Sequence, residues 1–291
     1  MNIEVRFFDT YNLCANVDGL LKNQFDYLLQ LEGFHCDGQW ADWLAPYQRF
    51  SVFHRFIDYV VRGTHADDAG AVDLGHRIGI MESLANIPAA IEHLRPRKLP
   101  IEEAFVRHHI DHQSFVEFLS DAGKVFAQAD DNDVYDYMNE VRLTESYELL
   151  MEQTVAEVFH VLFQNRQLLL IFNDYISRIL ENAKHDEAED LDLSLLARNG
   201  TLLRVKPPKW AQRAVFFRDR GRCVLCGKDL SGLLNLGNIE NYDHIVPLAR
   251  FGLNDVTNLQ LLCEHCNQVV KRDGGAVTSS RYQTWYSDDD D

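Results

Sequence analysis

Apolar residues recur three and four positions apart through most of the first 200 residues, starting with Leu20, Leu21, Phe25, Leu28 and Leu29. That spacing lines one face of a helix and predicts a mainly α architecture. Further amphipathic stretches run from Trp40 to Val61, Met81 to Leu94, Ile101 to Leu119 and Val134 to Ala183. Pro46 and Pro88 predict breaks or helix starts inside the first two, because proline lacks the N–H a helix interior requires. Asn2 to Phe8 alternates instead, so a strand or an extended lead-in is expected there. Leu94 to Pro100 reads as a linker, and Gln128 to Asp133 as a turn or an acidic helix cap.

The texture changes near Arg198 to Pro208. Arg198-Asn199-Gly200 is a helix stop, and Lys206-Pro207-Pro208-Lys209 is a stiff basic connector. Beyond it, helical periodicity yields to closely spaced Cys, His, Gly and Asn. Three parts are expected: a large acidic helical domain over 1–199, a small domain over 200–280, and an acidic tail over 281–291. The first is assigned a regulatory, partner-docking or oligomerisation role by elimination.

Composition adds two constraints. With 46% hydrophobic and 25% charged residues the chain is a globular one, and at 291 residues it has room for two cores. No stretch approaches the ~20 apolar residues that span a bilayer, and no charged leader precedes an apolar run. The expectation is a cytoplasmic protein. The net charge of −17 is unevenly placed. Residues 1–200 carry a net −18 and residues 281–291 a net −3, whereas residues 201–280 carry +4. An acidic partner domain discourages indiscriminate adhesion to polyanions; plain solubility explains the same asymmetry.

Four of the six cysteines form two Cys-x-x-Cys pairs, Cys223/Cys226 and Cys263/Cys266. Two such knuckles supply the four thiolates of a structural tetrahedral zinc site, and a reducing compartment disfavours disulfides. Cys14 and Cys36 are isolated and read as buried apolar residues. Between the knuckles lie Asp243-His244, Gly252 and Asn258, and Asn267 follows Cys266 directly.

The run DHIVPLARFGLNDVTNLQLLCEHCNQVVK, with its lead-in WAQRAVFFRDRGRCVLCG, resembles the HNH endonuclease family in its four-cysteine form. The resemblance covers roughly Trp210 to Gly275 and does not extend to residues 1–200. It implies a ββα-metal unit: a strand over Ile239 to Ile245, a second over Leu259 to Leu262, and a helix from Glu264 to about Arg272. Asp243 and Asn267 are then expected to hold one divalent cation, Mg²⁺ or Mn²⁺, since a carboxylate and an amide oxygen suit hard cations. His244 is expected to be the general base, with an ordinary pKa of ~6.5 that leaves it mostly neutral at pH 7. Asn258 is expected to pin the loop to backbone near His244. The implied products carry a 5′-phosphate and a 3′-hydroxyl. Arg213, Arg218, Arg220, Arg222, Arg250, Lys271 and Arg272 are candidate phosphate contacts, and each alone reads equally well as a solvated charge. His265 reads as an exposed bystander.

In the helical part, His108 and His112 stand four apart, which is metal-ligand spacing, but no further ligand is evident; surface or interhelical packing is the favoured reading. Tyr47, Phe50, Phe53, Phe56 and Tyr59 read as core or a dimer face. The resulting expectation is a metal-dependent DNA endonuclease, nicking as a monomer and cutting both strands as a dimer. Helical domains joined to such units are often restriction-type or anti-phage effectors, and a Zorya-type defence component is one candidate of that kind. The alternative is a zinc-stabilised adaptor that binds DNA or protein without cutting.

Overall fold

The computed structural model describes residues 5–84, 97–183, 192–231, 242–271 and 274–281. These residues are mainly helical. The helices are α1 (Val5–Lys22), α2 (Leu28–His35), α3 (Val52–Gly70), α4 (Leu74–Ser83), α5 (Pro100–Arg107), α6 (Phe115–Asp121), α7 (Asp131–Val141), α8 (Glu145–Leu162), α9 (Arg166–Asn182) and α10 (Lys209–Arg218). A two-stranded sheet, β1 (Tyr242–His244) and β2 (Leu259–Leu261), follows. None of the described helices is long and apolar enough to cross a membrane.

Local signals explain where the amphipathic stretches divide. The alternating N-terminal segment is helical from Val5 onward, so its period-two pattern is overridden. A 3₁₀ stretch over Cys36–Leu44 ends just before Pro46, and α3 begins only at Val52. The stretch from Ile101 to Leu119 is two helices. His109 takes a left-handed backbone at φ 56°, and Ser114 with Glu117 then forms a capping box that starts α6. In the last stretch, Asn165 starts α9 by accepting from the Leu168 N–H. The acidic segment before α7 is a cap: Asp130 accepts from the N–H groups of Asn132 and Asp133. Pro88, Ile239 to Asn241, Arg272 and residues 282–291 of the tail lie outside the described residues.

By contacts the chain divides into two compact units, residues 1–16 with 57–158, and residues 17–56 with 159–291. The core of the first holds Phe105, Phe115, Leu119, Tyr137 and Tyr147. Buried Glu102 joins α5 to α6 there, accepting from the N–H groups of Leu99 and Phe115. The histidine pair takes packing roles. His108 Nδ1 bonds Ala104 O at 2.9 Å, and the His112 ring stacks on Phe105 at 4.7 Å.

The second unit has an aromatic core. Phe34 stacks on Trp43 at 5.0 Å and meets Phe56 edge-on at 5.1 Å, and Phe53 lies 4.7 Å from Phe172. Tyr47 is also buried, while Phe50 is half exposed. Within this unit, contacts run across the segment 198–208. The Tyr47 N–H donates to Asn254 O at 2.8 Å, the Tyr47 hydroxyl to Val205 O at 3.3 Å, and the Val52 N–H to Asp255 Oδ2 at 3.4 Å. Asn173 on α9 reaches Thr257 Oγ1 at 3.5 Å. Of the two isolated cysteines, Cys14 is buried as expected, but Cys36 is exposed, its thiol bonded to Gly33 O at 3.4 Å.

Candidate active site and cysteine cluster

The sheet is antiparallel, pairing Tyr242 with Leu261, Asp243 with Gln260 and His244 with Leu259. His244 is thus the last residue of β1, and Asn258 directly precedes β2. The loop between them folds back on Asn258. Its Oδ1 accepts from the Val246 N–H at 2.8 Å, and its Nδ2 donates to Val246 O at 3.0 Å and Leu253 O at 2.9 Å. The Ile245 N–H donates to Asn258 O at 2.6 Å. Asn258 is wholly buried, so its side chain replaces hydrogen bonds the loop would otherwise make to water. Gly252 is required beside it: a Cβ there would stand 2.1 Å from Val246 O.

Asp219 and Arg218, at the end of α10, carry the sheet. Arg218 grips Asp219 through two bonds of 2.8 and 3.0 Å and donates to Leu259 O at 2.5 Å, while its guanidinium lies over Phe163. Asp219 in turn accepts from the Leu261 N–H at 2.9 Å, and Arg166 approaches it at 3.7 Å. All three side chains are buried. Arg218 is therefore not an exposed phosphate contact, as its residue type and neighbours suggest; it is buried, and its Nε and Nη2 donate inside the fold. Nothing local marks Arg166, or the Asp219 bond to the Leu261 N–H, since those partners are distant in sequence.

The four cysteine sulfurs of the two knuckles lie within 4.8 Å of one another, and Cys226 and Cys263 are 3.7 Å apart. A tetrahedral zinc with bonds of about 2.3 Å sets its sulfurs about 3.8 Å apart, so the arrangement fits the ion. Gly227 makes the first knuckle by taking φ 75° and donating its N–H to Cys223 O at 2.8 Å. The Val224 N–H bonds Leu261 O at 3.0 Å, fastening this knuckle to β2. The Cys266 N–H points at Cys263 Sγ at 3.5 Å, as second-knuckle amides do toward a thiolate. After Glu264 the chain continues as a wide π-helical turn over Cys266–Val270 rather than a longer α-helix.

Asp243 is half-buried and faces Lys271, whose ammonium bonds both its carboxylate and the His244 carbonyl. Lys271 is buried, and burial holds its ammonium below the usual lysine range against the pull of Asp243. It too is drawn inward rather than left for phosphate, since an unpaired Asp243 at this depth would be costly. His244 is 3% exposed and neither ring nitrogen makes a hydrogen bond of normal geometry, although the Asn254 carboxamide lies beside it. Burial lowers its pKa to about 4, helped by Arg204 and Lys271 and opposed by Asp243. The ring is neutral at pH 7. Asn267 sits in the π-helical turn four residues before Lys271, half-buried, its N–H on Cys263 O. Arg213, Arg220 and Arg250 are exposed, and Arg222 is half-buried with a guanidinium bond to Gly227 O at 3.3 Å. His265 is exposed.

Residues 223–272 match the HNH endonuclease family model. No curated protein and no solved structure matches the chain. A sheet that ends in Asp-His, a buried Asn that closes its loop, and two knuckles around it accompany that match. This part of the chain is an HNH endonuclease domain with a four-cysteine cluster.

Proposed function

We propose that this domain hydrolyses phosphodiester bonds in DNA, with His244 as general base and Asn258 as the residue that positions it. The reading rests above all on one observation: a neutral, buried histidine follows directly on a carboxylate that is paired with the buried Lys271 ammonium. A neutral imidazole can take a proton from an attacking water. Asn258 acts without touching substrate, fixing the backbone on either side of Val246 and hence the ring two residues earlier. Asp243 and Asn267 would hold the divalent cation. Bound there, Mg²⁺ or Mn²⁺ would stabilise charge on the scissile phosphate and on the departing 3′-oxygen. The four cysteines would hold structural zinc, which clamps the first knuckle, β2 and the π-helical turn together.

Exposed Arg213, Arg220 and Arg250 remain the basic groups suited to phosphate. The depth of His244 and the Lys271–Asp243 pair describe a closed site, so cutting requires Lys271 to yield Asp243 to the divalent cation. Residues 1–199 would be the controlling, partner-docking or self-associating part, and the whole a restriction-type or anti-phage effector. One such unit cuts one strand at a time, so a monomer nicks and a dimer breaks both strands.

The test is supercoiled plasmid incubated with the full chain and Mg²⁺, Mn²⁺ or EDTA, beside His244→Ala. Metal-dependent relaxation that is lost in the variant supports the reading, and open-circle against linear product distinguishes nicking from double-strand cleavage. Undiminished cutting by His244→Ala would remove His244 as the base.

A further inference from the structure

In the first unit, a cavity of about 330 Å³ opens among α1, α3, α5 and α8. That is the size of a small-ligand pocket, the range of which starts at roughly 300 Å³. Two polar groups at its wall lack partners. His65 is 9% exposed and Thr154 5%, yet neither His65 Nδ1 nor Thr154 Oγ1 makes a hydrogen bond. A helical threonine ordinarily returns its hydroxyl to the carbonyl four residues back, as Thr64 on the same wall does to Val60 at 3.0 Å. Thr154 does not. Buried polar atoms left unsatisfied are rare in folded proteins, and two in one cavity point to a ligand that satisfies them.

The charges say what kind of ligand. Arg107 is already engaged, 2.5 Å from Asp9 and 3.4 Å from Glu103. Asp68, on the same cavity, pairs with no cation among the described residues. Burial holds the Asp9 and Asp68 carboxyls above the usual range, and for Asp68 the neighbouring Asp67 and Asp9 add to it. The wall thus carries more negative charge than its own cation neutralises. His65 is neutral at pH 7, since burial and nearby arginines push it down to about 4. A neutral imidazole offers an acceptor nitrogen, a hydroxyl an acceptor oxygen, and a carboxylate two more. The two buried atoms without partners can both accept, while the donors of Asn16 and Arg107 on the same wall are already engaged by Thr64, Asp9 and Glu103. Leu13, Ile101 and Ala104 supply an apolar side suited to a short alkyl chain.

We propose that this cavity binds a small organic ammonium ion, whose N–H groups donate to Thr154 Oγ1 and His65 Nδ1 and whose charge is balanced by Asp68. The site is independent of the nuclease reading. Its test is calorimetric titration of the full chain with butane-1,4-diammonium chloride at constant ionic strength, beside butane-1,4-diol and sodium succinate. Saturable uptake of the diamine alone is expected, weakened at least about tenfold by Asp68→Asn and also by Thr154→Val. Asp68 is an exposed residue, so Asp68→Asn carries the test if Thr154→Val unfolds, and a thermal melt reports the fold of each variant. No saturable uptake up to about 10 mM, equal uptake of the diol, or an affinity unchanged in Asp68→Asn overturns the proposal.

Discussion

Asn258→Ala measures how much of the domain rests on one side chain. The substitution removes three hydrogen bonds of 2.8 to 3.0 Å and leaves the Val246 N–H, Val246 O and Leu253 O without partners. A buried backbone group without a partner costs about 1–3 kcal/mol. The three do not add fully, because the shorter side chain leaves room for a water that satisfies some of them. The expected loss is about 3–5 kcal/mol, a large share of the ~5–15 kcal/mol that holds a typical domain folded. Asn258→Asp is the informative companion. It keeps an acceptor for the Val246 N–H but turns an oxygen toward two carbonyls, so it too should destabilise despite its near-identical shape. The assay is urea unfolding of the zinc-saturated full chain, followed by far-ultraviolet circular dichroism. Plasmid cleavage by the same variants should fall with it, since the loop carries the backbone next to His244. A loss below about 1 kcal/mol for Asn258→Ala would refute the pinning role, since even one orphaned group should cost that much.

Further outcomes follow from the same geometry. Gly252→Ala forces its Cβ against Val246 O and toward Asn258 Nδ2, so the melting temperature should drop sharply; an unchanged melt would mean the loop can move aside. Cys226→Ser, at the exposed corner of the cluster, should take bound zinc from one equivalent to near none by elemental analysis and abolish the cooperative unfolding of the second unit; retention of a full equivalent would argue against four-thiolate coordination. Stability should depend on pH through His54 and His65, both held near pKa 4 in the fold, each chiefly by burial. The unfolded chain takes up these protons near pH 6.5 and the folded chain only near 4, so protons favour unfolding in between. Stability is then full above about pH 6.5 and declines as pH falls toward 4, by at most ~3 kcal/mol per ring and less for partly exposed His54. Urea midpoints that stay flat from about pH 7.5 to 5 would contradict this.

The four-cysteine cluster and the match to the HNH family were legible because they are written at short range. A Cys-x-x-Cys pair needs only a tight turn to bring two sulfurs together, whereas Asp243 and His244, adjacent on β1, point to opposite faces of the strand. Asn258 was readable for its place relative to that pair. The mainly helical character was equally plain, since apolar spacing is a local property. Breaks inside the long amphipathic stretches were harder, because His109 in a left-handed turn and the Ser114 cap compete with an apolar pattern that runs straight through them.

What only the tertiary structure decided was the use of charged residues that the fold buries and binds to backbone and side chains elsewhere in the chain. Arg218 and Lys271 look like surface cations from their neighbours. The fold buries both, because Asp219 and Asp243 lie where a cation must answer them. Likewise, the sequence break near residue 200 is real as a change of texture, yet α9 and residues 17–56 supply part of the core of the unit that contains the nuclease domain. The acceptor-lined cavity of the first unit draws on four helices spread over about 150 residues. Local pattern specifies which elements form and which side chains can do chemistry; which charges meet, and which polar atoms are left facing a cavity, is set by contacts that no spacing along the chain encodes.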